Sequence, residues 1–230
     1  MLRLSLCLLL VLCFSCTSDK VGNESSKTVL EEKQSSRINT RDIQKERLFS
    51  DFIKKFKPVE LPFIYRLSSN DSVRVDFSKL AKLNAHSTDT LFLKAEYLDE
   101  IFCYGILPST SNFYALIYLF PADDFYPVLV TYSKQGEVIS QEPLTIKGCT
   151  SDCGLTYCSQ TGLIDKNFQI SSVDTIRYDF NCDDNGNLVN EGLLMVDSNK
   201  GKVNIDGKIN MGKVNNYKKP FISDKPLPKI

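Results

Sequence analysis

The chain has 230 residues, and its 28 lysines and arginines balance 28 aspartates and glutamates. This balance, without any basic run, argues against a nucleic-acid partner, which would require a basic patch or stripe. The sequence carries no catalytic signature, so it predicts a location and an architecture but no reaction.

The N terminus has the layout of an export signal. One positive charge, Arg3, precedes an apolar run over residues 4–14. This run is too short for a membrane span, which takes about 20 residues, and has the length of a signal-peptide core. Ser15 and Cys16 follow. An apolar stretch, a small residue and then a cysteine resemble the lipobox of bacterial lipoproteins, which implies that Cys16 carries diacylglycerol and becomes the new N terminus.

The lipobox resemblance covers the first twenty residues, and Cys13 and Phe14 depart from its usual pattern. The alternative is ordinary secretion, because Cys13 and Ser15 are also small residues where a conventional signal peptidase reads. Residues 17–37 are rich in Ser, Lys, Glu and Asp, and are expected to form a disordered tether. We therefore predict a signal peptide over residues 1–15, and a lipidated cysteine with a flexible linker over residues 16–37.

The resemblance also implies the cell envelope of a gram-negative bacterium as the location. Thr17 and Ser18, which follow Cys16, do not force retention in the inner membrane. The outer membrane is therefore the expected site, and the sequence leaves open which face of it carries the protein.

An amphipathic helix is predicted over residues 40–56. Asn39 and Thr40 suit its N-terminal cap, and Pro58 ends the pattern. Apolar side chains recur at helical spacing: Leu48, Phe49, Phe52, Ile53 and Phe56. We expect this face to pack on the remainder of the domain.

Beyond Pro58 the apolar pattern has a period of two, which is typical of strands. The clearest strands are predicted over residues 91–97, 114–120 and 203–211, and both faces of the second are apolar, so it should be covered on two sides. Turn-forming residues stand at 121–124, 134–136, 183–186 and 199–201.

These elements predict a mainly β fold with a minority of helix. We expect an antiparallel meander, sandwich or partly closed sheet of about eight to ten strands, with the N-terminal helix packed against it. Residues 38–219 should form this single domain, and residues 220–230 an irregular tail.

Five cysteines follow Cys16, and export would place them in an oxidising compartment, where disulfides form. The disulfide candidates are Cys149, Cys153, Cys158 and Cys182. Their pairing stays open at this stage, because spacing alone does not choose among the possible connectivities. Cys103 is expected to be an unpaired, buried thiol.

Metal sites are weaker interpretations of the same segments. The four cysteines have gaps of three and four residues between the first three, unlike the two-residue knuckles common at zinc sites. Asp183 and Asn185 align with part of a calcium loop, but Gly192 occupies the position of the final acid, and a hairpin turn explains the same residues. We therefore expect no metal and no cofactor, with calcium at Asp183 and Asn185 as a minor alternative.

Two functional hypotheses remain. The first is a non-catalytic envelope protein that binds a glycan, peptide or protein ligand through the loops of the β domain, near which aromatic residues lie: Phe113, Phe125, Tyr126 and Tyr157. The alternative is an extracytoplasmic hydrolase that uses Asp or Glu, with two carboxylates facing each other in a deep cleft. His86, the single histidine, lies in a polar loop and is expected to be a solvated side chain.

Overall fold

A computed structural model describes residues 42–68, 75–149, 153–183 and 187–225. The predictions for the signal peptide, for Cys16 and for the linker lie outside these residues. Within them the chain forms one α-helix, three short 3-10 helices and fourteen strands.

Helix α1 covers residues 42–53 in its described part. The 3-10 helices are Phe77–Lys79, Thr88–Leu91 and Leu98–Glu100. The strands are β1 (Lys57–Pro58), β2 (Phe63–Ser68), β3 (Ala81–Lys82), β4 (Phe102–Ile106), β5 (Phe113–Phe120), β6 (Tyr126–Ser133), β7 (Val138–Pro143), β8 (Leu155–Ile164), β9 (Gln169–Tyr178), β10 (Asn181–Cys182), β11 (Leu188–Val189), β12 (Glu191–Val203), β13 (Ile209–Met211) and β14 (Asn215–Ile222).

The strands form two six-stranded sheets and a small hairpin. Sheet A has the order β1-β4-β5-β6-β7, with β3 also paired to β4. Sheet B has the order β13-β12-β9-β8-β2, with β14 also paired to β12, and β10 pairs with β11. Except for β1 with β4, every strand pair in the described ranges is antiparallel. The predicted mainly β, antiparallel architecture is therefore confirmed.

Sheet A is the middle of three layers. Phe49 and Phe52 of α1, and Phe56 in the turn after it, pack on one side of it with Tyr118 and Tyr132 from β5 and β6. The opposite face packs on sheet B and buries a second apolar cluster, which includes Ala115, Ile117, Leu119, Leu129, Ile164 and Ile170. β5 is thus covered on both faces, as its sequence predicts, and the helical face is buried as expected.

The strand predicted over residues 91–97 is wrong. A 3-10 helix ends at Leu91, which is 56% exposed, whereas Phe92 and Leu93 are both 2% exposed. No strand is formed between Phe92 and Tyr97, where the chain continues as a turn and irregular segment. The local fold is set instead by the buried carboxylate of Asp89, which accepts a hydrogen bond from the Lys55 ammonium at 2.6 Å.

The predicted turn at residues 199–201 is also wrong, because β12 runs through it without interruption. Gly201 serves close packing, since a Cβ at this position would lie 2.3 Å from the Met211 sulfur. The strand predicted over residues 203–211 is in fact a hairpin, in which Val203 pairs with Ile209 across a turn. Ile205, in that turn, is 83% exposed rather than aligned with the apolar face.

The end of the domain lies later than predicted. β14 reaches Ile222, so the segment predicted to be irregular from residue 220 begins inside a strand. Pro220 and Phe221 still have cross-strand partners on β12, Leu193 and Gly192. The turns predicted at 121–124 and 134–136 do connect neighbouring strands, β5 with β6 and β6 with β7.

Candidate functional site

The four candidate cysteines form two disulfides, Cys149–Cys158 and Cys153–Cys182. This pairing takes up the thiols that the zinc interpretation would need. Among the described residues, no three His, Cys, Asp or Glu side chains are grouped so that they could hold a metal ion. Cys103 is a free thiol buried on β4, and burial raises its pKa to about 12.

The other candidates from the sequence do not converge on one site. His86 is exposed. The Asp183 carboxylate accepts a hydrogen bond from the Asn187 backbone at 2.8 Å, and the Asp183 N–H donates to the Asn187 carbonyl at 2.9 Å. This geometry is that of a hairpin turn, and Asn185 lies outside the described residues. Phe113 belongs to the buried core between the sheets.

Polar side chains occupy one part of the inner face of sheet B. In the strand register, Gln160 of β8 lies opposite Asp174 of β9. Asp174 lies in turn opposite Asp197 of β12, and Asp197 opposite Asn216 of β14. These four residues are called the polar row below. Gln160, Asp174 and Asp197 are only 3%, 2% and 3% exposed, so they face the interior of the domain.

The hydrogen bonding of this region is incomplete. Four buried side-chain atoms have no hydrogen-bond partner within the part of the chain that the structure describes, and all four lie on β8, β9 and β12: Gln160 Nε2, Ser172 Oγ, Asp174 Oδ1 and Asn199 Oδ1. Ser172 and Asn199 are opposite each other in the row beside the polar row. Because an unsatisfied buried group costs about 1–3 kcal/mol, four of them on neighbouring positions mark this region as the candidate site.

A strap, residues 144–149, follows β7 and crosses the polar row. At one end, Leu144 approaches Gly162 so closely that a Cβ on the glycine would lie 2.6 Å from the Leu144 carbonyl oxygen. At the other end, Cys149 is bonded to Cys158 of β8. Glycine at one anchor and a covalent bond at the other hold the strap against the inner face of sheet B.

The middle of the strap is held by the two carboxylates of the polar row. The backbone N–H groups of Ile146 and Lys147 donate to Asp174 Oδ2 at 2.8 and 2.5 Å. The Lys147 ammonium lies 2.7 Å from Asp197 Oδ2. Each aspartate therefore binds a different part of the same segment, one its backbone and the other its side chain.

The two neighbouring carboxylates have opposite electrostatic environments. Burial raises the pKa of Asp174 above its usual value, although the two strap N–H groups favour its charged form. Burial acts in the same direction on Asp197, but the Lys147 ammonium and the Asn216 amide outweigh it and hold the pKa of Asp197 below its usual value. The pair therefore combines a carboxyl group that resists ionisation with one that favours it.

A cavity of about 500 Å³ lies between the strap and the β5–β6 turn. Asp123 and Asp124 line it from the turn, Ile146 and Lys147 from the strap, and Gln160 from the polar row. We call it the strap cavity. The turn is held in place because the Tyr65 hydroxyl donates to the Phe125 carbonyl at 2.9 Å.

Gln160, Asp174 and Asp197 are not among the site residues that the sequence predicts. A signal was present in β9, where every second side chain is buried and Asp174 falls in phase with Ile170 and Ile176. A charged residue in the apolar phase of a strand indicates a special position. What the sequence does not contain is the register that sets the three residues side by side.

No protein-family model, curated protein or solved structure matches this chain. Among the described residues, none of the helices has the length and apolar character needed to cross a membrane.

Proposed function

We propose that this chain is an exported, lipid-anchored protein of the bacterial cell envelope that acts as a non-catalytic binding module. In this proposal Cys16 carries the lipid, the outer membrane is the location, and the strap cavity takes a glycan, a peptide or another small polar ligand. The two disulfides support the proposal, because such bonds persist in oxidising compartments outside the cytoplasm.

The observation that carries the binding function is the position of Gln160. Its side chain lines the strap cavity, is almost fully buried, and has an Nε2 without a hydrogen-bond partner in the described ranges. A buried amide directed to a cavity is satisfied when a ligand group accepts its hydrogen bond. The volume of about 500 Å³ is within the usual range for small-molecule sites.

The positions of the carboxylates favour a binding function over the alternative function, hydrolysis. Asp174 and Asp197 lie opposite each other, but the strap backbone and the Lys147 side chain engage them beneath the strap. The carboxylates that line the cavity, Asp123 and Asp124, are neighbours on one turn, so they do not flank a substrate from two sides as paired catalytic acids do.

The lipid anchor is tested by metabolic labelling with an alkyne-tagged fatty acid. The wild-type chain should incorporate the label and fractionate with membranes, whereas Cys16→Ser should lose both properties. A Cys13→Ser chain is the matched control and should still be labelled. Equal labelling of wild type and Cys16→Ser would contradict the anchor, and a mature N terminus before Cys16 would do so independently.

The binding function is tested by identifying what the protein carries from its own cells. The full chain is extracted in mild detergent and denatured, and the released small molecules are analysed by mass spectrometry. A compound should be released from wild type and be absent from Gln160→Leu. The control is Gln169→Leu, a matched change at an exposed position, which should retain the compound. Identical profiles for all three chains would contradict the proposal.

A further inference from the structure

The charges around the strap cavity are strongly unequal. Three charged side chains line it: Asp123, Asp124 and Lys147. The Lys147 ammonium is already paired, 2.7 Å from Asp197 Oδ2. The two aspartates of the turn are exposed, and their carboxylates can interact with a ligand in the cavity.

Further charged groups lie behind the cavity wall. Asp174 and Asp197 lie under the strap, and the ammonium groups of Lys147 and Lys218 act on Asp197. In the lining itself, two carboxylates stand against one ammonium group that is already paired. A concave site with this excess attracts positive groups and repels anions.

The floor of the cavity favours a ligand that also carries an uncharged polar group. The Gln160 amide has an N–H donor without a protein partner within the described part of the chain, and an acceptor oxygen on the bound molecule would satisfy it. Ala122, Pro143 and Ile146 contribute an apolar wall, which accommodates a carbon skeleton between the two polar contacts.

From these contacts we infer that the strap cavity binds a small organic cation, in which a primary ammonium group stands next to a hydroxyl or amide group. The ammonium faces Asp123 and Asp124, and the neighbouring oxygen accepts from Gln160 Nε2. This inference rests on the proposed binding function and specifies the chemistry of its ligand. An amino sugar and an amino-acid amide both carry this pair of groups.

A series of sugar derivatives that differ in charge, together with an amino-acid amide, tests the inference. D-glucosamine, N-acetyl-D-glucosamine and D-gluconate present a cation, a neutral amide and an anion, and L-alaninamide presents the ammonium beside an amide instead of hydroxyls. Saturation-transfer NMR with the intact chain in detergent measures each affinity. We expect D-glucosamine or L-alaninamide to bind at least about tenfold more tightly than D-gluconate, and whichever binds identifies the neighbouring group.

Site-directed variants identify which residues determine the affinity for each probe. Asp123→Asn with Asp124→Asn should weaken the cationic probes by about tenfold or more and leave N-acetyl-D-glucosamine unchanged. Gln160→Leu should weaken all probes that bind, whereas Gln169→Leu should weaken none. Thermal unfolding of each variant verifies that it is folded, and the exposed position of the turn aspartates makes them safe to change.

The possible outcomes distinguish an error in the inferred ligand charge from an error in the proposed binding function. If N-acetyl-D-glucosamine or D-gluconate binds as tightly as the cations, and Gln160→Leu abolishes that binding, the cavity is a binding site and the charge inference is wrong. If neither cationic probe binds, the inference is overturned, while the compound released from native protein still decides the binding function. The inference is also contradicted if the cationic probes bind all three variants as tightly as they bind the wild-type chain.

Discussion

Asp174 keeps a carboxylate where an amide would satisfy the same hydrogen bonds. Its Oδ2 accepts two N–H groups of the strap, while Oδ1 is buried without a partner in the described residues. Because burial raises its pKa, the charged form is less stable in the folded chain than in the unfolded one. A residue that lowers stability is often found at a functional site.

Asp174→Asn should raise the free energy of unfolding at pH 7. The asparagine oxygen still accepts the strap N–H groups, and no charge is buried. Because the pKa of Asp174 is higher when folded, its contribution is favourable below the unfolded pKa of about 4 and is lost as the pH rises through the folded pKa. The gain should thus be largest at neutral pH and vanish below about pH 4. Urea unfolding at several pH values measures it, and a loss of stability at pH 7 would contradict it.

The Lys147–Asp197 pair should show the opposite pH dependence. Lys147→Met removes the ammonium nearest the buried Asp197 carboxylate and leaves it the Asn216 amide and the charge of Lys218. This should cost about 1–3 kcal/mol at pH 7, less than for a fully buried pair, since Lys147 is 44% exposed. The pKa of Asp197 is lowered on folding, so this stability is present above the unfolded pKa and is lost as the pH falls through the folded one.

The measurement for this pair is the unfolding free energy of wild type and Lys147→Met between pH 7 and pH 2. The two curves should converge at the acid end. Lys147→Arg serves as the control and should stay close to wild type across the range. A difference that is independent of pH would mean that Lys147 stabilises by packing and not by its charge.

The strap has no regular secondary structure, and three kinds of contact hold it in position. A glycine permits its close approach to β8, two N–H groups bind a buried carboxylate, and a disulfide closes its end. These contacts lie on successive rows of sheet B. The strap therefore behaves as part of the sheet B layer, and it forms one wall of the strap cavity.

Removal of the Cys149–Cys158 disulfide should loosen this wall. The double change Cys149→Ser and Cys158→Ser is expected to cost about 2–4 kcal/mol and to speed hydrogen exchange at the Ile146 and Lys147 amides, because their carboxylate acceptor no longer faces a fixed strap. Amide exchange followed by mass spectrometry or NMR measures the effect.

The second disulfide supplies the matched control. Cys153→Ser with Cys182→Ser also removes one crosslink, but it joins β10 to the segment before β8 instead of the strap. This variant should lose stability while the two strap amides keep their protection. Equal acceleration of the strap amides in both double variants would contradict the assigned role of Cys149–Cys158.

Local patterns in the sequence predicted some of these elements and not others. The helical spacing of Phe49, Phe52 and Phe56 and the double apolar phase of β5 each have one structural solution, and both are found. The turn assigned near Gly201 failed because a glycine also serves close packing, which depends on a partner strand. The polar row was missed for the same reason, since its neighbours come from four strands.

At the scale of the whole molecule, three layers enclose two separate cores with sheet A between them. α1 closes one core with Phe49 and Phe52, and the ring centroids of Phe52 and Phe92 are 4.9 Å apart. Sheet B closes the other and carries the candidate site on the same inner face. The helix layer and the site are thus on opposite sides of sheet A.

Phe52→Ala should cost about 3–5 kcal/mol, because it removes a 2%-exposed ring from the core under α1. Ile43→Ala, on the same helix but at a 62%-exposed position, should change stability by no more than about 0.5 kcal/mol. Chemical denaturation followed by circular dichroism compares the two. Similar losses for both variants would mean that α1 does not pack through its aromatic face.

The buried thiol of Cys103 has a consequence for biogenesis. With a pKa of about 12 it carries almost no thiolate at neutral pH once sheet A is covered, so it is inert in the finished molecule. Under the proposed export, the unfolded chain has no such shielding, and Cys103 competes with the four disulfide-forming cysteines for the oxidant. Collapse around β4 must therefore precede oxidation, or a disulfide isomerase must undo the mismatched crosslinks.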